Sequence, residues 1–168
     1  MASKKRTTRT VPVQRVQYET ARSFEQVLAD LRKLVGNATR GQVNQRVGHP
    51  ATREDFERDM STLSGESGFM LFLEVDHGNW LPIYGIHRKI RRWIFGNPVV
   101  AYTMIRHDII AGLFAPVELL LFENETGEGS TIVYDLPSSL MVVDDNPALL
   151  DAARALDRKV AELIDRVT

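Results

Sequence analysis

The spacing of hydrophobic residues along the chain changes between two periods, and each change marks the border of a predicted element. Valines alternate with polar residues in 11–20, which predicts a first strand. Apolar residues then recur every three to four positions in 24–35, behind a capping box that Ser23 and Gln26 can form. A second face of this kind covers 149–167 after Asn146, the expected N-cap, so the chain should end in a helix of about twenty residues.

The middle of the chain is richer in extended segments. Residues 69–75 are apolar at nearly every position, which predicts a central strand covered on both faces. Four further strands are expected, the last two joined as a hairpin, at 91–95, 99–106, 117–122 and 131–134. Between them, 96–98 should be a turn in which Gly96 takes unusual dihedral angles, and 108–115 a short apolar helix or loop.

A polar stretch interrupts this pattern between the first helix and the central strand. Residues 37–50 show no period and are typical of a loop, after which Thr52 can cap a short helix that carries Phe56, Met60 and Leu63 on one face. This insert, 37–67, is longer than a simple connection needs. Such excursions often act as lids or cover a ligand site.

The order of elements predicts an α+β domain with one antiparallel sheet of about five strands. The long C-terminal helix should lie across one face of that sheet. The other face should be buried by the insert, by a ligand or by a partner chain, because the strands are too apolar for a bare solvent-facing sheet. We expect a single domain over 11–168, preceded by a disordered basic tail at 1–10.

Composition narrows the classes of function. The chain has 168 residues, of which 43% are apolar and 26% charged, a formal net charge of -1 and no cysteine. Disulfides, thiolate metal sites and cysteine nucleophiles are therefore excluded. The balanced charge gives no global attraction to nucleic acid or to a membrane, and no apolar stretch is long enough to span one, so we expect a cytoplasmic protein.

Asp76 and His77 end the predicted central strand and are the first candidates for chemistry. A histidine held by a carboxylate can act as a general base or bind a metal. Adjacent strand residues point to opposite faces, so a direct Asp76–His77 pair requires the strand to end there. The structural alternative is that Asp76 caps the following turn and His77 packs under Trp80. In the functional interpretation this polar corner opens into a hollow.

The other histidines give weaker patterns. His107 and Asp108 could converge with His77 as a metal site, but the sequence has no H-x-H or H-E-x-x-H spacing. We therefore predict no metal and no cofactor. His49, beside Pro50 in the loop, is expected to be exposed.

A basic stretch at 86–93 contains His87 and four Lys or Arg residues. It could bind an anion, or a nucleic acid whose base stacks on Trp93. The favoured interpretation is a solvated basic face with Ile86, Ile90 and Trp93 turned inward, because the overall charge offers no wider basic surface.

Several motifs are similar, in their order, to those of one family: VDHGNWL at 75–81, IFGNP at 94–98, the proline before the strand at 117–122, and YDLP at 134–137. The chain resembles the domain-of-unknown-function 302 (DUF302) family, and its HGNWL and LPSSL wording resembles a subgroup seen in fungi and actinobacteria. The resemblance implies a strand-helix-four-strand-helix fold like the TATA-binding protein or a helix-grip domain, commonly dimeric. It implies no catalytic role, and the insert departs from the simpler members.

The leading functional hypothesis is a homodimer that binds a small, mainly apolar organic ligand between the sheet, the insert and the long helix. The predicted ligand contacts are Trp80, Asn97, Tyr102 and His107. The alternative is an enzyme in which His77 is the general base, oriented by Asp76 or Asp108. A third possibility is an interaction module whose sheet is covered by another protein.

Overall fold

The structure, a computed structural model, describes residues 5–37, 42, 45–46 and 52–168. Its strands are β1 (Arg15–Thr20), β2 (Met70–Asp76), β3 (Ile90–Gly96), β4 (Val117–Glu123) and β5 (Ser130–Asp135). They form one sheet in the order β1-β5-β4-β3-β2, and every neighbouring pair is antiparallel. The predicted α+β class with a five-stranded antiparallel sheet is confirmed. Most of the predicted loop at 37–50, including His49, lies outside the described residues.

Five α-helices are described, namely α1 (Phe24–Leu34), α2 (Arg53–Leu63), α3 (Pro98–Ile105), α4 (Pro137–Met141) and α5 (Pro147–Asp165). The predicted caps are present at three of them. Ser23 and Gln26 form the capping box of α1, and Thr52 and Asn146 accept N–H groups in the first turns of α2 and α5. These short-range signals fix where each helix begins.

The hydrophobic core lies between the sheet and two helices, α1 and α5. Alternate strand residues such as Trp93, Leu119 and Ile132 point to this side and are buried. They meet the apolar stripes of α1 and α5, for example Leu31 and Val160. The 19-residue α5 therefore lies across one face of the sheet, as its length predicted.

The segment predicted as a strand at 99–106 is instead the helix α3. Asn97 is its N-cap and Pro98 its first residue, a combination that starts a helix because proline has the right φ and no N–H to lose. The β-branched and aromatic residues that suggested a strand have only a weak preference for extended structure. The helix start at Asn97 and Pro98 outweighs that preference. Gly96 has no positive φ; a Cβ there would approach Pro116 Cβ to 3.2 Å, so close packing explains this glycine better than a turn does.

The apolar strand predicted to be central is the edge strand β2, whose neighbour in the sheet order is β3. Its apolar side chains have other neighbours. Met70 packs with Met60 of α2 in a small second cluster that also includes Phe72, while Leu73 is about half exposed. The insert helix α2 thus covers apolar side chains at the start of β2.

Candidate functional site

An apolar cleft of about 210 Å³ opens beside the Gly96 end of β3. Four distant parts of the chain form its walls: Phe69 and Phe72 at the start of β2, Val100, Ala101 and Met104 of α3, Pro116 and Val117 before and in β4, and Leu156 of α5. An engineered apolar cavity of about 150 Å³ can hold a benzene molecule. The cleft is therefore large enough for a ligand of one ring or a short aliphatic chain.

Asn97, one of the predicted ligand contacts, lines this cleft at the junction of β3 and α3. Its Oδ1 accepts the Val99 N–H at 2.8 Å, and its Nδ2 donates to Ser64 Oγ and to the Gly68 carbonyl, both at 3.0 Å. Both amide hydrogens are therefore already used. A ligand could gain a hydrogen bond from this amide only by displacing one of these partners.

The end of the insert is attached to the same wall of the cleft. The Phe69 carbonyl accepts two N–H groups, from Gly36 at 2.8 Å and from Gly65 at 2.9 Å. The backbone around the two glycines approaches so closely that a Cβ on Gly65 would lie 2.3 Å from the Leu34 carbonyl oxygen. The exit of α1, the exit of α2 and the start of β2 therefore meet at one oxygen beside the cleft.

Asp76 and His77 lie at the other end of β2 and β3, because Asp76 pairs with Arg91 whereas Met70 pairs with Gly96. The Asp76 carboxylate forms an ion pair with Arg91, whose Nε also lies 3.1 Å from Glu74 Oε1. The His77 ring rests edge-on against Trp80, with 5.9 Å between centroids. The expected Asp76–His77 pair is thus replaced by Asp76–Arg91, and neither residue lines the cleft.

The remaining predicted residues are dispersed. Trp80 and Tyr102 are each about half exposed, and the Tyr102 ring faces the Arg53 and Arg106 guanidinium groups. His107 follows α3, not a strand, and Asp108 caps a 3-10 helix by accepting the Ile110 N–H at 2.9 Å.

Residues 107–108 and His77 are therefore not brought together, since β3 separates the two ends of the sheet. Within the described ranges there is no group of three His, Cys, Asp or Glu residues placed to hold a metal ion.

The basic stretch at 86–93 is neutralised by acidic partners. Lys89 lies between Glu25 and Glu123. Its hydrogen bonds to these two carboxylates raise the pKa of Lys89, and the bond to Glu25 has the larger effect. Arg88, Arg91 and Arg92 are likewise near carboxylates. Trp93 is buried as predicted, whereas Ile86 is 44% exposed and does not turn inward.

The sheet has a second face, opposite the face that α1 and α5 cover, and the described part of the chain leaves it partly exposed. We define the open face by six apolar residues of β2 to β5 whose side chains alternate with the core residues: Leu73, Ile90, Ile94, Leu120, Phe122 and Val133. Each is only partly buried or exposed. The alternation in β4 contained this signal, because its outward positions hold leucine and phenylalanine where a solvated sheet would carry polar residues.

Two ion pairs lie on the open face: Arg92 with Glu118 in its middle, beside Leu120, and Arg15 with Asp135 towards the β1 edge. The Arg15 pair has two contacts, of 2.8 and 3.1 Å, and this hydrogen bonding to Asp135 raises the pKa of Arg15. The charges of both signs lie side by side. The open face is therefore mainly apolar, and the charges on it are balanced as ion pairs.

Comparison with known proteins agrees with the architecture. The family model described as "Domain of unknown function DUF302" matches residues 43–167. The crystal structure of an uncharacterized conserved protein DUF302 from Bacillus stearothermophilus has a TM-score of 0.63 and 15% sequence identity, over 92% of this chain and 98% of that chain. At this identity the likeness shows the fold alone.

No curated protein matches the chain. In the part of the chain that the structure describes, none of the helices combines the length and the apolar character needed to cross a membrane.

Proposed function

The chain belongs to the DUF302 family, a domain of unknown function, and we propose that it binds a small, uncharged apolar organic ligand in the cleft beside Asn97. The observation that carries this proposal is the cleft itself, which reaches from α3 to Leu156 of the long helix. The cytoplasmic location and the fungal or actinobacterial subgroup remain predictions.

The chemistry of the walls selects the ligand class. Of the described residues that line the cleft, Asn97 is the single one with a polar side chain, and its donors are occupied. A charged ligand would lose its hydration there without gaining a partner, which costs several kcal/mol. An uncharged hydrocarbon-like group loses little and gains contacts with Phe72, Ala101 and Met104.

Filling the cleft tests this proposal. Toluene at saturating concentration is expected to raise the Tm of the wild-type chain, because a ligand that binds only the folded state stabilises it. Ala101→Leu places three further carbon atoms in the cleft and should remove most of that shift. Ala155→Leu, at an exposed position of α5, adds the same group elsewhere and should keep the shift. An equal toluene effect in all three chains would contradict the proposal.

We also propose that the chain forms a homodimer through the open face. Burying Leu120, Phe122 and Val133 against the same residues of a second copy would remove an apolar surface from water. A two-fold contact needs a self-complementary patch, and charges of both signs on the open face meet that condition better than charges of one sign would.

A further carboxylate in the middle of the open face is expected to prevent this association, because Arg92, the charge already there, is paired with Glu118. Leu120→Glu should convert a dimer to a monomer in light scattering, while the new carboxylate can share Arg92, on the adjacent strand, with Glu118 and leave the fold intact. Ala155→Glu adds the same charge on the helical side and should remain a dimer. A wild-type chain that is monomeric at high concentration, or a dimeric Leu120→Glu, would rule this interface out.

A further inference from the structure

Two groups of exposed apolar side chains lie at opposite ends of the sheet. The corner cluster belongs to the loop between β2 and β3 and consists of Trp80, Ile83, Tyr84 and Ile86. The turn cluster belongs to the 3-10 helix Ile109–Phe114 and consists of Ile109, Ile110 and Leu113. Ile83 is 81% exposed and Leu113 76%. Large apolar side chains grouped at this level of exposure usually mark a contact surface.

The turn cluster adjoins the open face. Leu113 borders a hollow of about 370 Å³ together with Glu118 and Asp135, two acidic residues of the open face. The corner cluster lies at the other end, beyond Ile90, where β3 begins. β3 has seven residues, so about 20 Å separate the two ends.

We propose that in the homodimer the corner cluster of each copy packs on the turn cluster of the other. This inference rests on the dimer proposed above and specifies its orientation. A two-fold axis that lies parallel to the sheet and across its strands places the Ile90 end of one copy over the Gly96 end of its partner. In this arrangement an exposed side chain of the corner cluster, such as Ile83, can enter the partner's hollow beside Leu113.

The size of the open face supports the participation of both clusters. Five strands of about six residues give a face of roughly 20 by 20 Å, or about 400 Å². A stable interface buries about 800 Å² on each partner. Trp80 is 45% and Tyr84 75% exposed, so their exposed parts can contribute on the order of 100 Å² each. The two clusters therefore supply the area that the sheet face lacks.

The orientation follows from the shapes at the two ends. If the axis instead ran along the strands, like ends would meet and each cluster would face its own counterpart. The four large side chains of one corner cluster would then collide with the same four of the partner. The hollows beside Leu113 would face each other and remain unfilled. Packing unlike ends matches an exposed cluster with a hollow at both ends of the dimer, and well-packed interfaces leave few such voids.

The absence of cysteine from the chain gives a clean test by disulfide linking. The double variant Ile83→Cys/Leu113→Cys, oxidised in the native state, is expected to give about tenfold more linked dimer than either single variant, because bridging needs Cα atoms within about 7 Å. A link within one copy is not possible across the length of β3. Ala155→Cys is the control for random collision between exposed thiols.

The outcomes separate the two proposals. Linked dimers in the single variants would show that like ends meet and would overturn the orientation. A double variant that does not link, although light scattering shows a dimer, would overturn the orientation and leave the homodimer standing. A monomeric wild-type chain would remove the homodimer and the orientation together.

Discussion

Gly65→Ala is expected to lower the free energy of unfolding by about 3 kcal/mol, the upper end of what overpacking costs. The added methyl group would lie 2.3 Å from the Leu34 oxygen and 2.4 Å from the Gly36 nitrogen. Both atoms belong to the backbone, so no side chain can rotate away. This clash can be relieved only if the C-terminal ends of α1 and α2 move apart. That movement weakens the two hydrogen bonds to the Phe69 carbonyl.

Urea denaturation followed by circular dichroism measures this loss. Gly112→Ala is the matched control, because a Cβ there would meet the Ile105 side chain, Cδ1 at 3.5 Å and Cγ1 at 3.7 Å, which are ordinary van der Waals contacts. We expect that variant to stay within about 1 kcal/mol of the wild type. If Gly65→Ala is as stable as Gly112→Ala, the close contact of the two chain segments is not present in solution.

Asn97→Ala is expected to cost about 3 kcal/mol and to impair the cleft. The substitution removes the N-cap bond to Val99, worth about 1 kcal/mol, and leaves Ser64 and the Gly68 carbonyl without their donor, at about 1 kcal/mol each. Without these hydrogen bonds, the start of α3 is no longer attached to the end of the insert. The cleft lies beside both segments, so the toluene-induced rise in Tm should become smaller as well.

The comparison for Asn97 is Asp108→Ala. Asp108 accepts one backbone N–H at the start of a 3-10 helix, and the structure shows no long-range side-chain bond from it among the described residues. We expect a loss of about 1 kcal/mol and an unchanged response to toluene. Equal destabilisation by the two substitutions would mean that Asn97 acts only as a helix cap.

The sequence predicted the fold best where a signal lies within a few residues. The pair Asn146-Pro147 was identified as a helix start, and α5 begins there. Asn97-Pro98 is the same signal, yet the segment after it was assigned to a strand because it is rich in β-branched residues. A cap followed by proline fixes φ and satisfies N–H groups at one place, whereas strand preference depends on neighbours that a single sequence does not reveal.

The site was less predictable, for a related reason. Asp76 and His77 are adjacent in sequence, which suggested a pair, but the partner of Asp76 is Arg91, which the β2–β3 register places opposite it. The cleft is built from segments as distant as Phe69 and Leu156, and no local pattern reports such a meeting. Asn97 was found because it stands at a strand end, although its hydrogen bonds are structural.

The shared Phe69 carbonyl also bears on what holds the wall of the cleft in place. Because Gly36 and Gly65 are both bonded to that one oxygen, the chain between them forms a ring that is closed at its base. The two exits stay side by side for as long as both hydrogen bonds hold, so the wall of the cleft beside Phe69 does not depend on the length of the chain that joins them.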